Sequence, residues 1–159
     1  EVDFKNKRWI IPAERMKHEK MKPKPALCVP LSDWAIELLQ ELHTLTGHNR
    51  FMFPSRTNVN RHISENTLGK IINEKLGYKG RATPHGFRAV ASSLLYENNF
   101  NGGAIETQLA HVEENKIKDS YAYQANYMPQ RIEFMQWYSD YLRERYNQAL
   151  QMIQKDKAD

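Results

Sequence analysis

The sequence predicts an α+β fold that is predominantly helical: a small N-terminal antiparallel β-hairpin or sheet followed by a helical bundle. Three observations carry this expectation. Arg8-Trp9-Ile10-Ile11-Pro12 and Ala26-Leu27-Cys28-Val29-Pro30 are short apolar runs rich in β-branched residues, as strands are. From Ser32 onward, apolar residues recur at three- and four-residue steps, the spacing that puts them on one face of a helix. A chain of 159 residues buries one core, so residues 1–159 are expected to form a single domain, with 128–159 as its C-terminal helix or tail.

Between the two strands lies Lys17-His18-Glu19-Lys20-Met21-Lys22-Pro23-Lys24-Pro25, a basic connection closed by prolines, which predicts a hairpin with a cationic tip. The prolines near both strands leave its edges accessible. Ser32 is placed to cap a first helix whose stripe is Ala35, Leu38, Leu39 and Leu42, ending near Gly47. A loop through Phe51-Met52-Phe53-Pro54-Ser55-Arg56 reaches His62. Ser64 is placed to cap a second helix with Leu68, Ile71, Ile72 and Leu76 inward, stopped by Gly77. Thr83 and Pro84 suit the N-cap and first position of a third helix. Its buried face would be Phe87, Val90, Ala91, Leu94 and Leu95, with His85, Arg88 and Ser92 on the opposite side. Asn98 to Gly103 breaks that helix, a short one follows with Ile105, Leu109 and Val112, and a long one carries Ile132, Met135, Tyr138, Leu142, Tyr146, Leu150 and Ile153.

Composition excludes several classes. The single Cys28 rules out an internal disulfide framework and suits a reducing cytoplasm. No apolar run approaches membrane-spanning length, and no signal peptide is visible. His18, His43, His48 and His62 show no ligand spacing with Cys28 or one another, so no metal is expected. A net charge of +4 permits a polyanionic partner without identifying one. The chain begins at Glu1, within what reads as a strand, so it is expected to derive from a longer protein.

The stretch Thr83-Pro84-His85-Gly86-Phe87-Arg88 places a histidine and a fixed cation one turn apart at a helix N-terminus, where backbone N–H groups already favour an anion. That is equipment for holding a phosphate. Further on, Gln108-Leu109-Ala110-His111 ends the short helix with another histidine, and Tyr121 follows within Lys118-Asp119-Ser120-Tyr121-Ala122-Tyr123.

With these segments in order, the chain resembles the tyrosine recombinases, specifically the prophage integrase branch. The resemblance runs through Ile11-Pro12-Ala13-Glu14-Arg15-Met16-Lys17, Val29-Pro30-Leu31-Ser32, Phe53-Pro54-Ser55-Arg56, Ser64-Glu65-Asn66-Thr67-Leu68, the Thr83–Arg88 motif, the segment ending in His111, and Met135-Gln136-Trp137. It covers nearly the whole chain in the family's order and implies the tyrosine recombinase catalytic-domain fold. It implies that Tyr121 attacks a scissile DNA phosphate to give a 3′-phosphotyrosyl link. It implies that Arg88 and His111 hold the nonbridging oxygens, that His85 assists proton transfer at the tyrosine, and that Lys17 protonates the departing 5′ oxygen. Lys20, Lys22 and Lys24 then read as contacts to the DNA backbone, which position without reading sequence.

The chemistry agrees with those residue types. A tyrosine hydroxyl keeps the cut strand covalently attached and can later be displaced by another DNA hydroxyl. The transition state carries excess negative charge, which protein cations stabilise without a metal or other cofactor. The resemblance further implies double-stranded attachment sites as partners, a tetramer of the full-length protein on DNA, and site-specific integration and excision of a prophage. One departure stands out. The family's site needs another arginine, in a helix before the first strand, and that position precedes Glu1, so weak or absent activity is expected of this chain alone. Tyr123 and Tyr127 compete with Tyr121 as nucleophile. A non-catalytic helical DNA-binding module and a type IB topoisomerase are the alternatives, although the Ser55-Arg56 and Met135-Gln136-Trp137 segments argue against the latter.

Overall fold

Strand pairing at the N-terminus begins with a turn that its own side chains close. Asp3 accepts hydrogen bonds from the Asn6 backbone N–H at 3.0 Å and from Asn6 Nδ2 at 2.6 Å, which holds the Asp3 carboxyl below the usual carboxylate range. Lys7 completes the turn in the left-handed region, at φ 50°. The turn joins β1 (Val2–Asp3) to β2 (Arg8–Ile11), and β2 pairs in turn with β3 (Leu27–Pro30), giving a three-stranded antiparallel sheet in the order β1-β2-β3. The register sets Trp9 opposite both Val2 and Val29, and Ile10 opposite Cys28. The computed structural model describes residues 1–16, 25–110 and 127–156.

Among the described residues, five helices follow: α1 (Asp33–Thr46), α2 (Thr67–Lys70), α3 (Pro84–Glu97), α4 (Gly102–Gln108) and α5 (Met128–Lys155). The α+β, mostly helical architecture is therefore the one expected. The chain divides into two compact units, one of Glu1–Ile36 with Asn98–Asp159, the other of Glu37–Glu97.

In the first unit the core lies where α4 meets α5. Ala104, Ile105 and Phe134 are fully buried, and Phe134 meets Phe100 edge-on at 6.0 Å, a favourable arrangement of ring quadrupoles. Phe100 also touches Trp137 at 5.1 Å, and Trp137 stacks on Tyr141. Ser32 begins α1 as expected, its hydroxyl accepting from the Ala35 N–H at 3.3 Å. The same helix end is capped from far along the chain, where Gln136 Oε1 accepts from the Asp33 N–H at 3.0 Å. Asp33 pairs with Lys7. Glu1 accepts from Arg15, at the end of a short 3-10 turn (Ala13–Arg15), and from the Trp9 indole. The Arg15 bond is the main reason the Glu1 carboxyl sits below its ordinary range.

The second unit contains most of α1, the loop through 51–63, α2 and α3. Its loop is tied by Ser55 N–H to the Arg61 carbonyl at 2.7 Å and Ile63 N–H to the Phe53 carbonyl at 3.0 Å. Ser64 closes a turn ahead of α2 and is not its cap: the hydroxyl accepts from Asn66 N–H, and the helix starts at Thr67. From Ile71 to Lys75 the helix widens into a π turn, with the Leu76 N–H donating to the Ile71 carbonyl at 3.0 Å. The extra residue in that turn breaks the 3.6-residue spacing. Of the four positions expected inward, Ile72 alone is buried, and Leu68, Ile71 and Leu76 are exposed. Gly77, at φ 71°, stops the helix in a conformation that disfavours any side chain.

The apolar faces expected of α3 and α5 also need correction. In α3, Leu95 is buried while Phe87 and Val90 are more than half exposed, at 56% and 52%. In α5 the inward line is Arg131, Phe134 and Ser139, whereas Ile132, Leu142, Tyr146, Leu150 and Ile153 are exposed.

Phe134→Ala should therefore destabilise the protein by about 3–5 kcal/mol, as emptied aromatic core sites do, and Ile153→Ala by less than about 1 kcal/mol; denaturant unfolding distinguishes the two. Because the Glu1 pKa is lowered on folding, its contribution is complete above about pH 4.3 and is lost as the pH falls through the lowered value. The Trp9 indole N–H resonance should shift in that acid window, and Glu1→Gln should remove the shift.

Candidate functional site

The first turn of α3 is built by its own cap. Thr83 Oγ1 accepts from the Gly86 N–H at 3.0 Å, the Thr83 carbonyl accepts from Phe87 N–H at 3.2 Å, and Pro84 occupies the first helical position. This fixes the helix start, and with it the direction of the side chains at 85 and 88. Both His85 and Arg88 are exposed and stand one turn apart, with Ser92 half-buried on the next turn. The positive end of the helix dipole, an imidazole and a guanidinium thus open to solvent together, the arrangement that receives an anionic oxygen cluster.

Beside this turn, Phe87 lines an apolar hollow of about 390 Å³ with Ile72, Leu76, Tyr78, Arg81 and Ala82. The Arg81 guanidinium lies over the Tyr78 ring at 5.6 Å. The hollow accounts for the open N-terminal half of the α3 apolar face: the segment packed there, with its π turn, does not fill the space against Phe87.

His85 and Arg88 are the two expected site residues that the structure brings together. Lys17, Lys20, Lys22, Lys24, His111 and Tyr121 lie outside the described residues, as does Tyr123. Tyr127 is described and has a packing role: it is the N-cap of α5 at φ 41°, half-buried against α4. Gly103 makes room for it, since a Cβ there would lie 2.9 Å from the Tyr127 hydroxyl oxygen.

Sequence reasoning missed the most buried charge among the described residues. Arg131, in the first turn of α5, is 1% exposed. Its Nε donates to Gln108 Oε1 at 2.9 Å and its Nη2 to the Cys28 carbonyl at 2.6 Å. Burial pushes its pKa down, although a guanidinium stays protonated in such surroundings. The available signal was the line Arg131, Phe134, Tyr138 at helical steps, which an apolar-only reading of the face discards. Gln108 was visible as part of the segment ending at His111, with no role attached.

Among the described residues, no three His, Cys, Asp or Glu side chains gather closely enough to hold a metal ion, and no helix is long and apolar enough to cross a membrane.

The sequence model of the phage integrase family matches residues 1–128. The chain is 36% identical over 143 residues to the prophage integrase IntA of Escherichia coli strain K12, covering 90% of this chain and 33% of the relative. It is 34% identical over 169 residues to the integrase of Enterobacteria phage P4, covering 99% and 38%. Against the integrase of Shigella phage Sf6 it is 37% identical over 145 residues, covering 91% and 36%. The chain thus spans little more than a third of the length of these curated relatives. No solved structure matches it significantly.

Removing the cap tests the construction of this helix end. Thr83→Ala should lower stability by about 1 kcal/mol and speed exchange of the Gly86 amide by roughly fivefold, leaving the Leu95 amide little changed; hydrogen exchange by NMR measures both.

Proposed function

The chain belongs to the phage integrase family, and on that premise we propose that it is the catalytic part of an enzyme that cuts and rejoins DNA at specific sites through a 3′-phosphotyrosyl intermediate. The observation that carries this reading is the exposed His85–Arg88 pair on a capped helix N-terminus, in a chain matched by the family over most of its length.

In this mechanism the Tyr121 hydroxyl oxygen attacks the scissile phosphorus. A tyrosyl P–O bond forms as the bond to the 5′ oxygen breaks. Lys17 gives a proton to that departing oxygen, and His85 assists removal of the tyrosine proton. Arg88 and His111 neutralise the nonbridging oxygens, where a planar, permanently charged fork is worth more than a flexible ammonium. Rejoining reverses the step, with a DNA hydroxyl displacing the tyrosine. Lys20, Lys22 and Lys24 grip the backbone beside the site. The full-length protein works as a tetramer on paired attachment sites and supplies the further arginine from the segment before β1.

Full-length protein is given a nicked duplex copied from the junction of the integrated element that encodes it, so that the cut strand cannot religate. A denaturant-resistant adduct is expected. Tyr121→Phe should abolish it, and Arg88→Ala should slow its formation by a factor on the order of 10² or more. An adduct that survives Tyr121→Phe and vanishes with Tyr123→Phe would reassign the nucleophile. DNA binding with no adduct under any condition would favour the non-catalytic binding module. Replacing Lys20, Lys22 and Lys24 by Gln should flatten the plot of log affinity against log salt by roughly 0.9 per lost phosphate contact.

A further inference from the structure

The second unit, Glu37–Glu97, holds eight Lys and Arg against five Asp and Glu, so it carries +3 of the chain's net +4. Within it, residues 42–64 contain no acidic side chain, while Arg50, Arg56, Arg61, His43, His48 and His62 all fall there. The loop that carries most of these groups is a built hairpin. Pro54 and His62 form an antiparallel bridge, flanked by the Ser55 N–H bond to the Arg61 carbonyl at 2.7 Å and the Ile63 N–H bond to the Phe53 carbonyl at 3.0 Å. We propose that this hairpin is a further DNA grip, in which the Arg56 and Arg61 guanidiniums bracketing its tip hold phosphates of the duplex backbone. This rests on DNA being the substrate, as in the proposed function, and gives the hairpin no part in the cleavage chemistry.

Three observations argue for a grip over a merely solvated loop. The tip is shaped by its own side chains. The Asn58 carbonyl accepts from the Arg61 N–H at 3.0 Å, Asn58 Oδ1 accepts from the Asn60 N–H at 3.0 Å, and the Ser55 and Thr57 hydroxyls bond each other at 3.1 Å. The backbone beneath both arginines is thus fixed in advance, and the ordering cost of binding falls mainly on two side chains. The charges are also unspent. Arg56 and Arg61 are exposed, and among the described residues neither forms an ion pair, whereas Arg15 and Lys7 are committed to Glu1 and Asp33. The base of the hairpin is cationic as well, with the Arg50 guanidinium over the Phe51 ring at 5.3 Å and the His62 ring edge-on to Phe51 at 5.7 Å. A polyanion fits such a surface, because no carboxylate in the stretch repels it and a planar guanidinium takes a phosphate by two parallel bonds. DNA is the polyanion that the proposed function already brings to this unit, at His85 and Arg88.

The test uses the full-length protein with the nicked junction duplex and an unrelated duplex of equal length. Affinity is followed against salt by fluorescence anisotropy, and cleavage is measured in single turnover at saturating DNA. Replacing Arg56 and Arg61 together by Gln should weaken binding to both duplexes alike and flatten the plot of log affinity against log salt by roughly 1.8, at about 0.9 per contact. The deficit against wild type should then be roughly tenfold larger at 50 mM than at 200 mM salt. Cleavage at saturation should stay within about twofold of wild type, as when only uniform binding is removed. Replacing both arginines by Lys should keep most of the slope, since the charge remains. Lys75→Gln with Lys79→Gln, which removes two exposed cations of the same unit outside the hairpin, should leave the slope near wild type. Wild-type affinity and slope in the double Gln variant would overturn the proposal. So would an equal flattening by the Lys75 and Lys79 changes, the mark of a general field, or a loss confined to the junction duplex with the slope unchanged, the mark of base reading. Should the double Gln variant melt early, the lysine variant decides: a retained slope supports the grip and a lost one overturns it. A protein that neither binds nor cleaves the junction duplex fails the proposed function itself; one that cleaves while ignoring Arg56 and Arg61 fails only the hairpin.

Discussion

A guanidinium taken out of water is the constraint around which the first unit is organised. Desolvating a charge is expensive, and the expense is tolerated only where strong hydrogen bonds replace the lost hydration. Arg131 meets that demand with a side-chain amide on α4 and a main-chain carbonyl on β3. Ile105 and Phe134, one turn from Gln108 and Arg131 along their own helices, are fully buried as well, and burial strengthens the bonds made there. Sheet, short helix and long helix are thus held by one polar knot. A shift of any of the three would leave a buried charge short of partners, so the arrangement has little freedom to drift.

The second unit follows a different logic. Its buried groups are few among the described residues, Ile72 and Leu95 being the main ones, and much apolar surface along α2 and the start of α3 is open. Order there comes from local devices: the Thr83 cap, the positive-φ glycine at 77, and backbone ties across the 53–63 loop. Local devices suit a helix end whose side chains at 85 and 88 are exposed, because the Thr83 cap fixes the backbone beneath them.

How far the sequence was legible follows from the same contrast. Most caps and stops were legible, because Ser32, Thr83 and Gly77 do work that depends on neighbours a few residues away and each sits where its chemistry requires, whereas Ser64 closes a turn instead of capping α2, and Asn101, which caps α4, was read only as part of a break. The pairing of β2 with β3 was readable from β-branched runs, and a strand was read at the start of the chain where β1 lies, although its two residues carry no pattern that would set its pairing. Faces were harder. A reading that equates inward with apolar passes over Arg131 and Ser139 and promotes Ile132 and Leu142, although α5 turns the polar pair inward. The π turn after α2 changed the helical phase for a reason that no periodicity count contains. The His85–Arg88 pair was legible as an anion-holding helix end; the residues assigned with it were named only through resemblance, since which residues a fold gathers depends on long-range chain path.

The first unit is discontinuous in sequence, and this has a consequence for the order in which the protein comes into being. The Asp33–Gln136 cap and the Arg131–Cys28 bond each join residues 103 positions apart. At a synthesis rate of roughly 5–20 residues per second, a separation of 103 residues corresponds to a wait of roughly 5–20 seconds. Through that interval the nascent strands and the head of α1 exist without the helix that completes them, while the contiguous stretch Glu37–Glu97 already has all of its own chain. Ribosome pausing within α5 would therefore prolong the period in which the sheet of β1 to β3 is unsupported, making the tempo of translation through that helix a determinant of yield.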